Sequence, residues 1–328
     1  MALQIKMCTL VILMFGILYG VIAEVGTWLG EGSVTFYVIL AILFMGLQYL
    51  IGPYLVEKVM CVRYVSEEEE PELHRIVDEL ARNANIPKPK VGISQISIPN
   101  AFAFGKSLRD GRVCVSEGIL KLLNKDELKA VLGHEISHIK NHDMMIITLL
   151  SVIPLILYWI SRTFIWGGVG ERSNEEEKEN GSSAVLIGLV AMMAYIFTQL
   201  LVLVASRIRE YYADEGSVKL GNSPHYLVSA LYKLVCASAY ANKTTEGKEE
   251  LRRVAAIRAF FLNDVQKSLK EVTELTQIDT DLSGTIDKCE LESLKRKDIK
   301  ISFAEKLMEI FTTHPNTLKR IKRVSTLI

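Results

Sequence analysis

The sequence predicts an α-helical membrane protein that also carries a domain of mixed α and β structure. Two observations predict this class. The 328 residues are 49% hydrophobic, and much of this apolar content lies in four long stretches. Between the second and third stretches, the pattern changes to short runs of alternating polarity followed by an amphipathic helix. That change is typical of a small sheet packed beside a helix, so we expect four transmembrane helices and a small antiparallel sheet.

Each apolar stretch is long enough to cross a hydrocarbon core of ~30 Å, which takes roughly 20 helical residues. The stretches cover residues 8–29, 34–56, 144–166 and 184–206. The first is too long for a removable signal peptide, lacks a small-residue cleavage pattern and is followed almost at once by the second. We therefore expect it to remain as a membrane helix.

The charges that flank these stretches predict their orientation. Basic residues adjoin the span ends that face the termini and the central segment: Lys6, Lys58, Arg63, Lys140, Arg207 and Arg209. The short loop 167–183 is dominated by glutamates. Because cytoplasmic loops carry the excess of Lys and Arg, we expect a multi-pass protein of the cell membrane with these basic regions in the cytoplasm.

The chain is thus expected to alternate between membrane and cytoplasmic parts. Residues 1–57 and 144–206 would each form two transmembrane helices, the second pair joined by loop 167–183, while 58–143 and 207–328 would form the cytoplasmic domain. The pattern predicts helices at 66–85, 207–219, 225–240 and 251–275, and strands at 91–98, 101–104 and 112–115. Glu67 to Glu70 would lie in the first turn of a helix, and Asp110-Gly111 is a hairpin turn signal.

An HExxH motif occupies residues 134–138. On a helix, residues four apart lie on one face, so His134 and His138 can both bind one metal ion. Glu135 is then placed to take a proton from a water that the metal activates. This is the chemistry of metal-dependent peptide hydrolysis.

The same letters could occur on a solvated surface helix, but the surroundings of the motif favour a packed one. Asn124, with Glu127 three residues on, forms a capping box that marks the start of the helix. Apolar residues surround the motif, namely Val131, Leu132, Ile136 and Ile139. Burial of such a helix would make unpaired polar groups costly, so the polar side chains are expected to have partners.

A catalytic zinc ion needs a third protein ligand, and the sequence offers His142 and Glu210. On a straight helix His142 would lie ~12 Å along the axis from His134, so it cannot share the ion unless the helix breaks. Glu210 leaves the fourth span on the side where the HExxH helix enters the third. Asp214, one turn further, could accept a hydrogen bond from a ligand imidazole. The alternative for Glu210 and Asp214 is a juxtamembrane charge cluster with no metal role.

Charge and cysteine content exclude other classes of protein. The 38 basic residues balance the 38 acidic ones, which argues against nucleic acid as the main partner. The five cysteines are scattered, odd in number and without a CxxC pair. Neither a disulfide framework nor a cysteine zinc site is therefore indicated, and reduced thiols suit a cytoplasmic domain.

HEISH, followed by two membrane spans and then REYYAD, resembles the gluzincin metallopeptidases of the HtpX type. These membrane quality-control proteases are similar in their catalytic core to CAAX prenyl proteases. The resemblance covers nearly the whole chain and implies a zincin-like catalytic domain. It implies one zinc ion per chain with His134, His138 and Glu210 as ligands, Glu135 as general base, and Asp214 as a hydrogen-bond partner of a ligand.

Two further segments resemble the family. One corresponds to its NAFA edge strand, which pairs with an extended substrate, and consists of Asn100, Ala101, Phe102 and Ala103. An ordinary sheet strand is the alternative. The other corresponds to an HPxxxxR segment, which implies that His314 and Arg320 bind the substrate carbonyl or stabilise the oxyanion. His142 departs from many relatives and receives no role.

Residues 279–290 fit a second metal motif, the calcium loop of EF-hands. Gly284 permits the sharp turn, and oxygen-bearing side chains occupy the ligand positions: Asp279, Asp281, Ser283, Thr285, Asp287 and Glu290. The loop has no partner loop in the sequence, and an acidic solvated turn could imitate it. If it binds calcium, it would brace the C-terminal part or regulate access to His314.

These expectations combine into a membrane-embedded zinc endopeptidase that cleaves misfolded or damaged membrane proteins. Its partners would be such substrates and the lipid bilayer. A first alternative is a prenyl-protein endopeptidase, which would require a lipidated C-terminal peptide. A second is a calcium-sensing membrane scaffold with a vestigial site, which an inert Glu135→Gln substitution would favour.

Overall fold

The computed structural model describes residues 13, 17, 21, 31–169, 175–243, 271–272, 275–276, 278–279, 281, 283–296 and 309–328. Most of the expected span 8–29 and of the expected helix 251–275 lies outside these residues. The chain divides into two compact units. The first contains Met1–Leu50 and Met145–Ala205, and the second contains Ile51–Met144 and Ser206–Ile328.

The described elements follow one another from the first membrane-length helix to a short C-terminal helix. In chain order they are α1 (Glu31–Val59), β1 (Val62–Tyr64), α2 (Pro71–Ala84), β2 (Lys90–Ser94), β3 (Ala101–Phe104), β4 (Arg112–Ser116), α3 (Glu117–Leu122), α4 (Lys125–Lys140), α5 (Asp143–Val169), α6 (Glu175–Lys219), α7 (Pro224–Lys243), α8 (Lys288–Arg296) and α9 (Thr317–Ser325).

Two of the described helices are long and apolar enough to cross a membrane, judged by length and composition. They are Asp143–Ile165 within α5 and Ala184–Lys219 within α6. Large apolar side chains on both helices point outward, with Trp159 48% and Met193 66% exposed, as suits a helix surrounded by lipid. The expected span 34–56 lies within the helix α1. Four membrane helices therefore remain a prediction.

In the first unit, α5 and α6 pack through apolar side chains. Leu150, Ile153 and Leu157 of α5 form a buried cluster with Val202 and Ala205 of α6. This packing explains why the two apolar stretches fold as a pair, with one face buried and the other left to lipid.

The sheet of the second unit is mixed, so the predicted antiparallel sheet is wrong. Its strand order is β1-β2-β4-β3. The outer pairs, β1–β2 and β3–β4, are antiparallel, but β2 and β4 are parallel. After β2 the chain leaves one position in the sheet empty and forms β3 in the opposite direction. β4 then occupies the position between β2 and β3. Because β4 runs antiparallel to β3, it runs parallel to β2.

The connection between β3 and β4 also differs from the predicted two-residue hairpin. It contains a 3-10 turn at Leu108–Asp110. Gly105 begins the connection with φ +145°, and a Cβ atom there would lie 2.3 Å from the carbonyl oxygen of Asp110. Only glycine fits this turn. The first predicted strand is shorter than expected, because β2 ends at Ser94.

The helices next to the sheet begin and end at recognisable signals. Helix α2 begins at Pro71 rather than at residue 66, because proline lacks the N–H that a first-turn residue leaves unused. Glu67 to Glu70 therefore precede α2 instead of forming its first turn. Asn124 caps the N-terminus of helix α4. Its side chain accepts from Glu127 N at 2.9 Å, and the Glu127 carboxylate accepts from Asn124 N at 3.0 Å. The predicted capping box is confirmed.

Helix α4 lies at the centre of the second unit. Its apolar side chains pack with the sheet and with α2 and α7 in one buried cluster that includes Val77, Val113, Leu132, Ile136 and Leu234. A second cluster joins α7 to α8 and α9. Five polar residues of α4 are consequently buried too, so each needs a partner within the protein: Glu127, His134, Glu135, Ser137 and His138.

Candidate metal centre

His134 and His138 lie one turn apart on α4 and point at the same place. Both side chains are buried, and their Nε2 atoms are 3.1 Å apart. Without a metal, a protonated His134 can donate to His138 at this distance. Close convergence of two buried imidazole nitrogens is also the arrangement expected of two ligands of one cation.

Glu210 of α6 completes the group. Its Oε2 lies 3.6 Å from Nε2 of His134, and its Oε1 lies 3.7 Å from Nε2 of His138. Zinc binds nitrogen and oxygen at ~2.0–2.1 Å in a tetrahedron, which places neighbouring ligand atoms roughly 3.3–3.4 Å apart. The observed separations bracket that value. The buried Oε2 of Glu210 accepts no well-formed hydrogen bond from any described residue, so these residues fit a zinc-sized ion.

Small residues allow α4 and α6 to approach closely enough to bring the three ligands together. Ser217 donates through Oγ to the backbone carbonyl of Ala130 at 2.6 Å. A Cβ atom on Gly216 would lie 2.3 Å from Oγ of Ser137, and one on Gly133 would lie 2.9 Å from Oγ of Ser217. The spacing between the two helices is therefore set by the lack of side chains at these positions.

A carboxylate lies behind each ligand imidazole. Oδ1 of Asp214 lies 2.9 Å from Nδ1 of His134, and Oδ2 of Asp143 lies 2.6 Å from Nδ1 of His138. A carboxylate at Nδ1 fixes the tautomer that leaves Nε2 to bind a metal. Asp214 was among the predicted site residues, whereas sequence reasoning missed Asp143.

Asp143 reaches His138 because the chain turns sharply between α4 and α5. His142 has φ +56° in this turn and is exposed, so it does not join the site. Arg209 of α6 lies 3.2 Å from Oδ1 of Asp143 and balances its charge. The signal that could have revealed Asp143 is a single acidic residue at the mouth of a long apolar stretch, since such residues are expensive there.

Arg320 of α9 joins the carboxylates from the other side. Its guanidinium donates to Asp214 in a bidentate pair at 2.9 and 2.7 Å, and its Nη1 lies 3.3 Å from Oε2 of Glu210. Only 1% of the side chain is exposed. Burial alone would lower the pKa of Arg320, but the carboxylates of Asp214 and Glu210 raise it, so the group is charged.

His314 lies on the segment before α9 and faces the same carboxylate. Its Nδ1 is 3.5 Å from Oε2 of Glu210, and the ring is buried. Neither ring nitrogen makes a hydrogen bond with the described part of the chain. The ring is therefore available to a group that enters the site.

Burial and charge set the protonation of two residues of α4. Burial raises the pKa of the Glu135 carboxyl, although the neighbouring His138 and His134 oppose the rise. Burial disfavours a charged imidazole at His134, but the carboxylates of Asp214 and Glu210 outweigh it and raise the pKa of His134 to about 9. A carboxylate with a raised pKa beside a cation site is typical of a general base.

Comparison with known proteins agrees with this centre. Residues 67–328 match the family model described as Peptidase family M48. The chain belongs to this family. The match includes all the residues that converge here, and membership implies a metallopeptidase whose metal would be held by His134, His138 and Glu210.

Several M48 relatives are similar over most of their length. A protease HtpX homologue of Methanothermobacter thermautotrophicus is 53% identical over 233 residues, which cover 71% of this chain and 86% of the relative. One of Thermoplasma acidophilum is 30% identical over 321 residues, covering 95% and 92%. The crystal structure of S. mikatae Ste24p aligns with 98% of this chain and 66% of its own, at 15% identity and a TM-score of 0.49.

The strand expected to receive substrate lies at the edge of the M48 sheet. In the described sheet, β3 pairs with β4 alone. The backbone of Asn100, just before β3, accepts from Ser116 N at 2.8 Å, and its own N–H donates to Ser116 Oγ at 2.8 Å. Ala101 of β3 packs in the same cluster as Leu132 and Ile136 of α4. The edge strand thus lies beside the metal-binding helix.

The structure gathers part of the predicted calcium loop. Carboxylate oxygens of Asp279, Asp281 and Glu290 lie within 4.8 Å of one another. The N–H groups of Ser283 and Gly284 donate to Asp279, each at 2.9 Å. The hydroxyls of Ser283 and Thr285 lie 3.0 Å from each other, and Asp287 accepts from Glu290 N at 2.7 Å. These three side chains are engaged with the loop itself and with the start of α8.

Proposed function

We propose that this M48 protein is a membrane-embedded zinc endopeptidase that hydrolyses peptide bonds of misfolded or damaged membrane proteins. One observation carries the proposal. His134, His138 and Glu210 converge within 4.8 Å in the protein interior, and Glu135 adjoins them on the same helix. A set of donors with this spacing suits zinc, and a buried carboxylate beside it suits a base.

Glu135 would act on the attacking water. Zinc, when bound, supplies the positive charge that makes a water acidic near neutral pH and polarises the carbonyl to be attacked. The raised pKa of Glu135 makes its carboxylate a stronger base than an exposed glutamate, so it can take the proton of the water. The same carboxyl group can then give that proton to the amine that leaves.

The edge of β3 is the surface we assign to substrate. An extended peptide can pair with an edge strand through backbone hydrogen bonds alone, which suits a protease that accepts unfolded segments of many sequences. The residues of β3 are buried, so their edge would have to be uncovered before a peptide pairs with it. The site residues there are Asn100, Ala101, Phe102 and Ala103. Asn100 would orient the peptide, since its own backbone is already held by Ser116.

His314 and Arg320 would assist from the C-terminal segment in different ways. His314 has both ring nitrogens available and would donate a hydrogen bond to the carbonyl oxygen as negative charge develops on it. Arg320 already holds Asp214 in a bidentate pair and adjoins Glu210. We therefore assign it the positioning of these two carboxylates.

The proposed location is a cell membrane, with the catalytic unit in the cytoplasm. Two apolar helices support membrane insertion, and the distribution of lysine and arginine supports the orientation. In this arrangement, segments that extrude from the bilayer into the cytoplasm would be the substrates.

The deciding experiment is proteolysis by the purified, chelator-stripped protein before and after zinc is restored. An unfolded membrane protein and a prenylated C-terminal peptide would be offered in parallel. We expect zinc-dependent cleavage of the unfolded substrate, and Glu135→Gln should lower kcat by about 10²–10⁴-fold while zinc still binds. Cleavage of the lipidated peptide alone would favour a prenyl-protein endopeptidase, and unchanged cellular function of the variant would favour a scaffold.

We also propose calcium as a second, structural ion at the loop 279–290. Asp279 and Glu290 are buried and Asp281 is exposed, so an ion would be reached from the surface. Tyr232 of α7 donates to Asp279 at 3.0 Å, which links the loop to a helix that packs on α4. Calcium would thus brace the C-terminal part of the catalytic unit.

A further inference from the structure

One arginine of α6 holds the turn that precedes His314. Arg207 lies near the C-terminal end of α6, and its Nη1 lies 2.7 Å from the backbone carbonyl of Glu309, 3.2 Å from that of Ile310 and 2.6 Å from that of Thr312. Three carbonyls of the turn 309–312 therefore point at one guanidinium nitrogen. A charged donor makes stronger hydrogen bonds than a neutral one, so this contact anchors the turn.

Apolar burial does not hold this turn. Ile310 is 38% exposed and Phe311 is 66% exposed, so the hydrophobic contribution at these positions is small. Among the described residues, the other hydrogen bonds and ion pairs of the turn lie within residues 309–319. Thr312 Oγ1 donates at 2.9 Å to the carbonyl of Glu309 and lies 3.0 Å from that of His314, and the Glu309 carboxylate accepts from Lys319 and from Asn316 N.

The position of Arg207 on α6 connects this anchor to the metal centre. Arg207 and Glu210 are three residues apart and so lie on one face of the helix, about one turn from each other. Glu210 is the residue that His314 faces at 3.5 Å. On this face of α6, Arg207 therefore binds the backbone of the turn, and Glu210, about one turn further along, lies beside the His314 ring.

We propose that Arg207 is a positioning residue of the peptidase site. It fixes the turn 309–312, and through that turn it places the His314 ring beside Glu210. Without the guanidinium, three carbonyls lose their shared donor, and the other described hydrogen bonds of the turn lie within residues 309–319, so they do not fix its distance from α6. The proposal deepens the proposed function and rests on it wherever activity is the readout.

The first test measures order in the turn and needs no activity. Hydrogen–deuterium exchange of the full-length protein in detergent would follow the peptide that covers residues 309–316. We expect Arg207→Gln to speed exchange in that peptide by about tenfold or more, because local opening no longer breaks three charge-assisted bonds. Arg323→Gln is the matched control, since the described hydrogen bonds of the Arg323 side chain go to Glu215, and its guanidinium lies over the Tyr211 ring instead of binding the carbonyls of the turn.

The second test asks whether Arg207 acts through His314. We expect Arg207→Gln to lower kcat by about tenfold to a hundredfold with little change in KM, and to cause no further loss in a His314→Ala background, because coupled residues are not additive. Arg207→Lys keeps a cation with three donors and should restore part of both readouts. If hydrogen exchange in Arg207→Gln is fast throughout α6, Arg207→Lys is compared with the wild-type protein instead.

Unaltered exchange at 309–316 in Arg207→Gln would overturn the proposal, as would a full additional loss of kcat in the double variant. Failure of the proposed function gives a different pattern. In that case no variant cleaves peptide, yet the exchange comparison between Arg207→Gln and Arg323→Gln still shows whether the arginine holds the turn.

Discussion

The two candidate cation sites of this protein are built in opposite ways. The metal centre takes His134 and His138 from α4 and Glu210 from α6, and it is buried. The loop 279–290 takes its carboxylates from one short stretch of chain, and Asp281 in it is exposed. The first site exists only when distant elements have packed, whereas the second can form from its own sequence.

The groups that support the ligands differ in the same sense. Asp214 supports the metal centre from α6, one turn after Glu210, and Arg320 supports it from α9; both side chains are buried. In the loop, backbone N–H groups of Ser283 and Gly284 support Asp279 from a few residues away. A substitution at the metal centre therefore threatens the whole unit, and one in the loop should have a local effect.

Removal of Arg320 should lower the stability of the protein more than any other substitution in this comparison. Arg320→Gln leaves the carboxylates of Asp214 and Glu210 buried without their cation, so we expect unfolding to become easier by about 3–5 kcal/mol. Denaturant titration of the metal-free protein in detergent would measure this. Arg323→Gln, which removes an arginine whose side chain is 38% exposed, should cost no more than about 1 kcal/mol. Equal losses would contradict the assigned role.

The carboxylate behind His138 should matter for metal affinity more than for folding. Asp143→Asn keeps the shape of the side chain but removes the charge 2.6 Å from Nδ1 of His138, so zinc should bind about 10–100-fold more weakly. Competition with a chelator of known affinity would measure the change. The neighbouring substitution His142→Asn is the control and should change nothing, because His142 is exposed and asparagine tolerates its positive φ. A similar loss in both variants would show that the turn matters, not the carboxylate.

The pH dependence of zinc binding follows from the raised pKa of His134. In the metal-free protein this imidazole is protonated below about 9, and zinc must displace that proton. Affinity should therefore rise by about tenfold per pH unit as pH increases toward 9 and level off above it. The stability of the metal-free protein changes with pH in the opposite direction to its zinc affinity. Protonated His134 stabilises the metal-free protein fully below about pH 6.5, the pKa of an unfolded histidine, and this contribution is lost as pH rises through about 9.

Calorimetry of zinc binding in buffers of different ionisation enthalpy would count the released proton. Asp214→Asn, which removes the carboxylate closest to Nδ1 of His134, should move the levelling point to lower pH. An affinity that does not vary between pH 6 and 9 would mean that His134 is neutral in the metal-free protein.

The smallest effect is expected in the loop. Calcium should raise the melting temperature of the wild-type protein by a few degrees, about the effect of ~1 kcal/mol of binding energy. Glu290→Gln should abolish that rise and leave zinc-dependent activity intact. Glu292→Gln, two residues on in α8 and exposed, should keep the rise. Identical melting with and without calcium in the wild-type protein would remove the calcium proposal.

Local patterns explain what the sequence could predict. The capping box of Asn124 and Glu127 and the i, i+4 spacing of His134 and His138 depend only on helix geometry, and both appear in the structure. The strand directions depend on which strand enters the gap beside β2, which no local pattern encodes. The expected start of α2 is wrong because Pro71, and not the acidic run before it, marks the first turn of the helix.

The same division holds within the site. Asp214 could be anticipated because it follows Glu210 by one helical turn. Asp143 stands out in the sequence only as an acidic residue at the start of an apolar stretch. Its contact with His138 could not be predicted, since the contact needs a positive φ at His142, which a histidine rarely adopts. The anchor at Arg207 joins residues 102–105 positions apart, so only the folded chain reveals it.

The close contact between α4 and α6 has a consequence for how members of this family are judged active or inactive. Gly133, Ser137, Gly216 and Ser217 are not among the metal ligands, yet a single methyl group on either glycine would collide with a neighbour. Enlarging one of them would push the two helices apart and carry His134 away from Glu210. A chain could therefore retain the HExxH motif and the glutamate ligand and still be an inactive enzyme. Screening genomes for intact peptidases should inspect these four small residues alongside the donors.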